Sequence, residues 1–260
     1  KLEQMLRRRD VKRFSALAYA RLLAPSLFPQ HSRIVYLDAD TVLYADVAEL
    51  YDTDLCGAAV GAVRDTAVLS SLVAGYPRRQ LRKLQPLGLH DPFHYFNSGV
   101  LVLDLDRMRE EDAEVRLLHV IEEHNELLEH PDQDALNGAL CELTVPLHPR
   151  WNWHDGLTRR ILKNDPRERF WRGVTPRQAV EAALEPGILH YQGVHKPWRY
   201  NWRYEGERYE RVMREAGLLR GPLPGRTLPA VLKKHLYRPV YRMTARKILR
   251  LKEGFDNRLL

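Results

Sequence analysis

Short apolar runs bounded by turn residues alternate with stretches of helical period along this chain. Ile34–Leu37, Ala58–Val63, Val100–Leu103 and Gly187–Tyr191 read as short buried strands. Leu105–Leu118, Gln133–Leu140 and Pro176–Leu184 read as helices, the last with Thr175 as its N-cap and Pro176 in its first turn. Ahead of them, Arg7–Leu23 contain no Gly or Pro and place Phe14, Leu17, Ala18, Arg21 and Leu22 at helical spacing until Pro25 ends the run. Strands alternating with helices predict an α/β sandwich on a mostly parallel sheet, in which ligands sit at the carboxyl ends of strands. Asp38 and Asp40 follow one strand, and His190 ends another.

At 260 residues and 44% hydrophobic, the chain can bury a sizeable core. No apolar run approaches the roughly 20 residues needed to span a bilayer, and no signal-peptide pattern opens the chain. Cys56 and Cys141 stand far apart, so neither a disulfide framework nor a zinc site is expected, and a reduced cytoplasm is the natural setting. The net charge of +7 is uneven: Gly206–Leu260 hold 14 Lys+Arg against 5 Asp+Glu, and the rest 27 against 29. That balance argues against a nucleic-acid-binding body and for a basic attachment segment. We therefore divide the chain into a body, residues 1–205, and a tail, 206–260, with Gly221, Pro222, Pro224, Gly225 and Pro229 marking the change in composition. Within the tail, Leu228–Leu251 interleave apolar and aromatic side chains with Lys and Arg, and Pro239 divides them into two short helices. Such a segment suits an anionic membrane surface, peripherally at the inner face of the cell membrane. It equally suits a helix packed on the body with a solvated face.

Three stretches carry candidate chemistry: RIVYLDAD (Arg33–Asp40), FNSGVLVLD (Phe96–Asp104) and HYQGVHKPW (His190–Trp198). Asp-x-Asp alone says little, because the chain has four such pairs. Asp52/Asp54 occupy a polar turn, and Asp104/Asp106 precede a helix bearing Arg107 and Arg109, so capping is their expected role. Asp38/Asp40 follow a strand with no nearby cationic partner in sequence, and two carboxylates aimed at one point call for a cation between them. A calcium loop fails here, since Val42 and Leu43 stand where a ligand and the obligatory glycine belong. YLDADTV also resembles the nucleophile motif of haloacid-dehalogenase-type phosphatases, although the downstream Gly-Asp pair of those enzymes is missing. His190 with Gly193 and Lys196 forms a candidate phosphate-metal corner. Trp151, Trp153, Trp198 and Trp202 could stack on an acceptor sugar, but at least half are expected in the core.

With these residues in hand, the chain resembles glycosyltransferase family 8, which includes bacterial lipopolysaccharide galactosyl- and glucosyltransferases and glycogenin. The ordered markers, over about Phe14 to Trp202, are Tyr19-Ala20-Arg21-Leu22, YLDAD, FNSGV, DQDALN and HYQGVHKPW. The resemblance implies a GT-A fold, Rossmann-like and of the α/β class, a UDP-sugar donor, a glycan or glycolipid acceptor, Mn2+ (or Mg2+), and retention of anomeric configuration. It implies Asp38, Asp40 and His190 as metal ligands, and Gly193 and Lys196 as diphosphate contacts. Arg21, Asn97 and Asp132, together with Asp38, become donor contacts. Gln133 falls beneath the anomeric carbon with Asp134 beside it, as catalytic candidates. In the family, the first strand and the uridine pocket precede the segment where this chain starts, so an N-terminally truncated catalytic domain is expected. The alternatives are a phosphatase and a non-catalytic nucleotide-sugar-binding fragment.

Overall fold

The computed structural model describes residues 16–65, 68, 82, 84–154, 174–193, 196–198 and 206–221. They fall into two compact units. The first comprises Ala48–Leu147 and the described residues up to Leu37; the second comprises Asp38–Val47 and the described residues from His148 onward. Among the described residues the strands are β1 (Arg33–Leu37), β2 (Thr41–Leu43), β3 (Val60–Arg64), β4 (Phe96–Asp104), β5 (Thr144–Pro146) and β6 (Ile188–His190).

In the first unit, four strands form one sheet in the order β1-β4-β3-β5. Its pairing is mixed where a mostly parallel sheet was expected: β4 runs antiparallel to β1 and to β3, and β3–β5 pair in parallel. The α/β class stands. The direction could not be read because β4 is buried at every position from Phe96 to Leu103, and a strand covered on both faces shows a continuous apolar run whichever way it points. Leu101 and Leu103 pack with Leu105, Met108, Leu117, Leu136 and Leu140 in the core of this unit.

The helix expected over Leu105–Leu118 is two: α1 (Leu105–Glu110) and α2 (Ala113–His124). Between them Asp112 takes a φ of 51°, a left-handed conformation that Asp tolerates better than most residues and that ends a helix. Asp104 caps α1 as expected, its carboxylate accepting from the Arg107 amide at 2.9 Å. Pro131 opens α3 (Pro131–Leu140) two residues ahead of the expected start, because the first turn has no use for the missing N–H. For the same reason Pro25 does not end a helix but lies in the first turn of a short one, Ala24–Leu27, which follows a 3-10 helix over Ala16–Leu23. The start of the expected Arg7–Leu23 helix lies outside the described residues.

In the second unit, β2 pairs antiparallel with β6, setting Thr41 opposite His190 and Leu43 opposite Ile188. Trp153 joins the other side of β6 through a parallel bridge to Leu189. Helix α4 (Pro176–Leu184) covers this layer, with Ala179, Val180, Ala182 and Ala183 packed against Trp153, Leu189 and Tyr191. Trp151 and Trp153 are therefore core residues. Trp198 is half-buried beside Tyr209, and Trp202 lies outside the described residues. Helix α5 (Gly206–Glu215) begins the basic segment, and its Tyr209 meets Tyr191 edge-on at 5.7 Å. Leu228–Leu251 lie outside the described residues, among which no helix is long and apolar enough to cross a membrane.

Thr175 and Gln178 form a reciprocal capping box at the start of α4. Thr175→Ala should lower the stability of this unit by about 1 kcal/mol, read as a reduced urea midpoint; an unchanged midpoint would show that the cap is idle.

Candidate active site

Asp38 comes directly after β1, and Asp40 directly before β2. The β2–β6 register then extends by one further bond, from the Tyr191 amide to the Asp40 carbonyl at 2.9 Å. This pairing brings His190 Nε2 to 3.1 Å from Asp40 Oδ1 and 3.6 Å from Asp38 Oδ2. The three side chains each offer one donor atom within 4.8 Å of the others, a cluster capable of holding a metal ion. Two hard carboxylates and one borderline imidazole fit Mn2+, whereas Mg2+ prefers oxygen and water. Behind the ring, His190 Nδ1 lies 2.8 Å from the Asn152 side-chain oxygen.

Lys196 donates to Asp40 Oδ2 and to the Tyr191 carbonyl. The cationic partner missing from the sequence near Asp40 is thus supplied from 156 positions away. Burial alone would raise the Asp40 carboxyl, but hydrogen bonds and charge from His190 and Lys196 outweigh it and hold the group at about 2. Gly193 has a φ of 79° and open space where a Cβ would stand. Its glycine is explained by backbone conformation rather than by crowding within the protein.

The remaining predicted residues converge in the first unit. Gln133 is fully engaged: its Oε1 accepts from Asn97 Nδ2 at 3.1 Å and the Ser98 amide at 3.0 Å. Its Nε2 donates to Asp65 Oδ2 at 3.0 Å and the Tyr95 hydroxyl oxygen at 3.1 Å. Asn97 also donates to Asp65 Oδ2. Arg21 donates to the Ser98 carbonyl at 2.8 Å and faces Asp132 at 3.4 Å. Asp134 accepts from the Tyr95 hydroxyl at 2.5 Å and from the Glu129 and His130 amides at 2.7 and 2.8 Å. Burial, then the charges of Asp134 and Asp65, push the Tyr95 phenol well above its ordinary value, so it remains a donor.

Sequence reasoning missed Asp65, Tyr95, Ser98, Asn137 and Asn152 as parts of these arrangements. Asp65 carried a usable signal, since it follows β3 as Asp38 follows β1. Asn137 lies one turn after Gln133 in the same motif and bonds both backbone groups of Phe96, fastening α3 to the start of β4. Asn152 had no signal, because its partner lies 38 residues away. The other acidic pairs behave as expected: Asp54 accepts from the Cys56 amide in a turn, and Asp106 pairs with Arg109.

A model of "Glycosyl transferase family 8" matches residues 2–202. The chain belongs to that family. Among its relatives, General stress protein A of Bacillus subtilis (strain 168) is 30% identical over 191 residues, covering 72% of this chain and 60% of that protein. The lipopolysaccharide 1,2-glucosyltransferase of Escherichia coli (strain K12) is 28% identical over 204 residues, 78% of this chain and 55% of that protein. The family 8 chain thus spans little more than half the length of these relatives. Its fold matches galactosyltransferase LgtC, solved with donor and acceptor sugar analogs, at a TM-score of 0.61 and 25% identity, covering 82% of this chain and 71% of that one. It also matches the WbbM bifunctional glycosyltransferase at 0.60 and 28%, covering 73% and 34%. These neighbours make the fold GT-A.

Two substitutions test the two clusters separately. Gln133→Glu would set a carboxylate against Asp65 and Asp134, raising its folded-state pKa and costing on the order of 2 kcal/mol at neutral pH. That loss should shrink as the pH falls toward protonation of the new group, and a pH-independent loss would contradict the network. Asp40, held below its unfolded value, contributes stability above the ordinary carboxylate range and loses it as pH falls through about 2. Lys196→Met should therefore move the acid-unfolding midpoint, followed by tryptophan fluorescence, to higher pH.

Proposed function

We propose that this chain is the catalytic part of a retaining, Mn2+-dependent hexosyltransferase. It moves glucose or galactose from a UDP-sugar to lipopolysaccharide or another surface glycan. The observation that carries the reading is the convergence of Asp38, Asp40 and His190 on one point. The lipopolysaccharide glucosyltransferase of E. coli and the galactosyltransferase LgtC, to which the chain is similar, support the substrate class.

Asp38, Asp40 and His190 would hold the ion. Bound there, it supplies positive charge for the departing diphosphate. Lys196, already placed at Asp40, adds a point charge for the same oxygens, and the left-handed backbone at Gly193 suits a loop that presents amides to phosphate. Arg21, Asn97 and Asp132 act on the donor sugar. Gln133 serves as a fixed dipole at the anomeric carbon, since its amide is held by partners on both ends and needs no reorganisation during reaction. Asp134, tied down by three donors, is assigned as the anchor of the Glu129–Asp134 turn rather than as an attacking group. The excess of Lys and Arg after Gly206 supports attachment at the anionic cytoplasmic face of the membrane.

Donor hydrolysis is the direct test, using the gene product that contains this chain with UDP-glucose or UDP-galactose. Release of UDP should require Mn2+, stop with EDTA, and fall on the order of 100-fold or more in Asp38→Ala. Turnover indifferent to EDTA would sink the proposal. Tight UDP binding without turnover would instead support a binding role.

A further inference from the structure

We infer that Asn152 is the positioning residue of the metal centre: its carbonyl oxygen holds His190 in the one tautomer and ring orientation that presents Nε2 to Asp38 and Asp40. The inference rests on the metal-site reading above and assigns a role to a side chain outside the ligand set.

A neutral imidazole can carry its proton on either ring nitrogen, and only the unprotonated one can bind a metal. His190 Nε2 is the nitrogen that faces both carboxylates. For it to be the ligand, Nδ1 must keep its proton, and that proton needs an acceptor. The Asn152 oxygen lies 2.8 Å away. Among the described residues the Gln192 amide nitrogen also lies near Nδ1, at 3.4 Å, and as a donor it cannot accept that proton. Asn152 and His190 are both almost fully buried, so no bulk water competes for the bond.

The backbone makes this contact rigid. Asn152 closes the short turn Pro149–Asn152, and the next residue, Trp153, is clamped to β6 on both sides of Leu189. Its amide donates to the Ile188 carbonyl at 2.9 Å, and its carbonyl accepts from the His190 amide at 2.7 Å. Trp153 itself is fully buried. The side chains of Asn152 and His190 therefore project from backbone locked in one register, which is how an outer residue fixes the aim of a metal ligand.

The test is Mn2+ binding to the gene product, measured by the electron paramagnetic resonance signal of the free ion, with folding checked by circular dichroism. Asn152→Ala should weaken Mn2+ binding by about 10- to 100-fold. Asn152→Asp, which keeps an oxygen acceptor, should restore most of it. Wild-type affinity in Asn152→Ala would overturn the inference while leaving the metal site standing. Unchanged affinity in His190→Ala would instead overturn the metal site, and this role with it. Should Asn152→Ala fail to fold, the wild-type protein decides the matter alone. With diamagnetic Zn2+ bound, 15N shifts of His190 should show a proton on Nδ1 and metal on Nε2, and the reverse pattern would refute the assignment.

Discussion

Three antiparallel residue pairs between β2 and β6 hold the cluster of Asp38, Asp40 and His190 together. Asp40 directly precedes β2 and His190 ends β6, and with Thr41 opposite His190 the Asp40 carboxylate, on the turn leading into β2, lies 3.1 Å from the imidazole. A slip of one residue would turn His190 to the opposite face, because successive strand side chains alternate. The ladder is too short to fix its own register. What fixes it is the bridge to Trp153 on the far side of β6 and the packing of α4 over the same layer. The geometry of this cluster is thus a consequence of how a small buried core closes.

The first unit solves a different problem, that of burying polar side chains without leaving them unsatisfied. Asp65, Asn97, Ser98, Gln133, Asp134 and Asn137 are all buried, at a cost of several kcal/mol each if unpaired. They satisfy one another through bonds that run from the end of β3 to the start of β4 and the first turns of α3. A network completed in this way specifies one arrangement, since moving any member orphans its neighbours. Gln133 illustrates the point: its oxygen and its nitrogen face different partners, so its amide cannot be reversed without breaking bonds on both sides.

Electrostatics divides the acidic pairs of the chain by role. Asp104 and Asp106 answer a helix terminus and Arg109, and Asp54 answers a turn amide. Those needs are local and are met within a few residues. Asp38 and Asp40 face charge brought from far along the chain, where His190 and Lys196 oppose the penalty that burial places on Asp40. Identical dipeptide spacing therefore carries different meanings, set by what the folded chain brings to each pair.

The apolar runs and helix signals determined by themselves where β1, β3, β4 and β6 and the helices α3 and α4 lie. The pairing of Thr175 with Gln178 and the cap at Asp104 follow from neighbours three residues apart. The ordered motifs likewise singled out Asp38, Asp40 and His190, which the fold places together, while Gln133 came from the family resemblance. Strand direction in the sheet, the existence of the three-residue β2, the break at Asp112, and the partner Asn152 were decided only by tertiary structure. Each depends on an energy that exists only between distant segments, such as a ladder bond, a shared core or a buried donor seeking an acceptor. Local periodicity records which face of a segment is buried; it holds no record of what that face will meet.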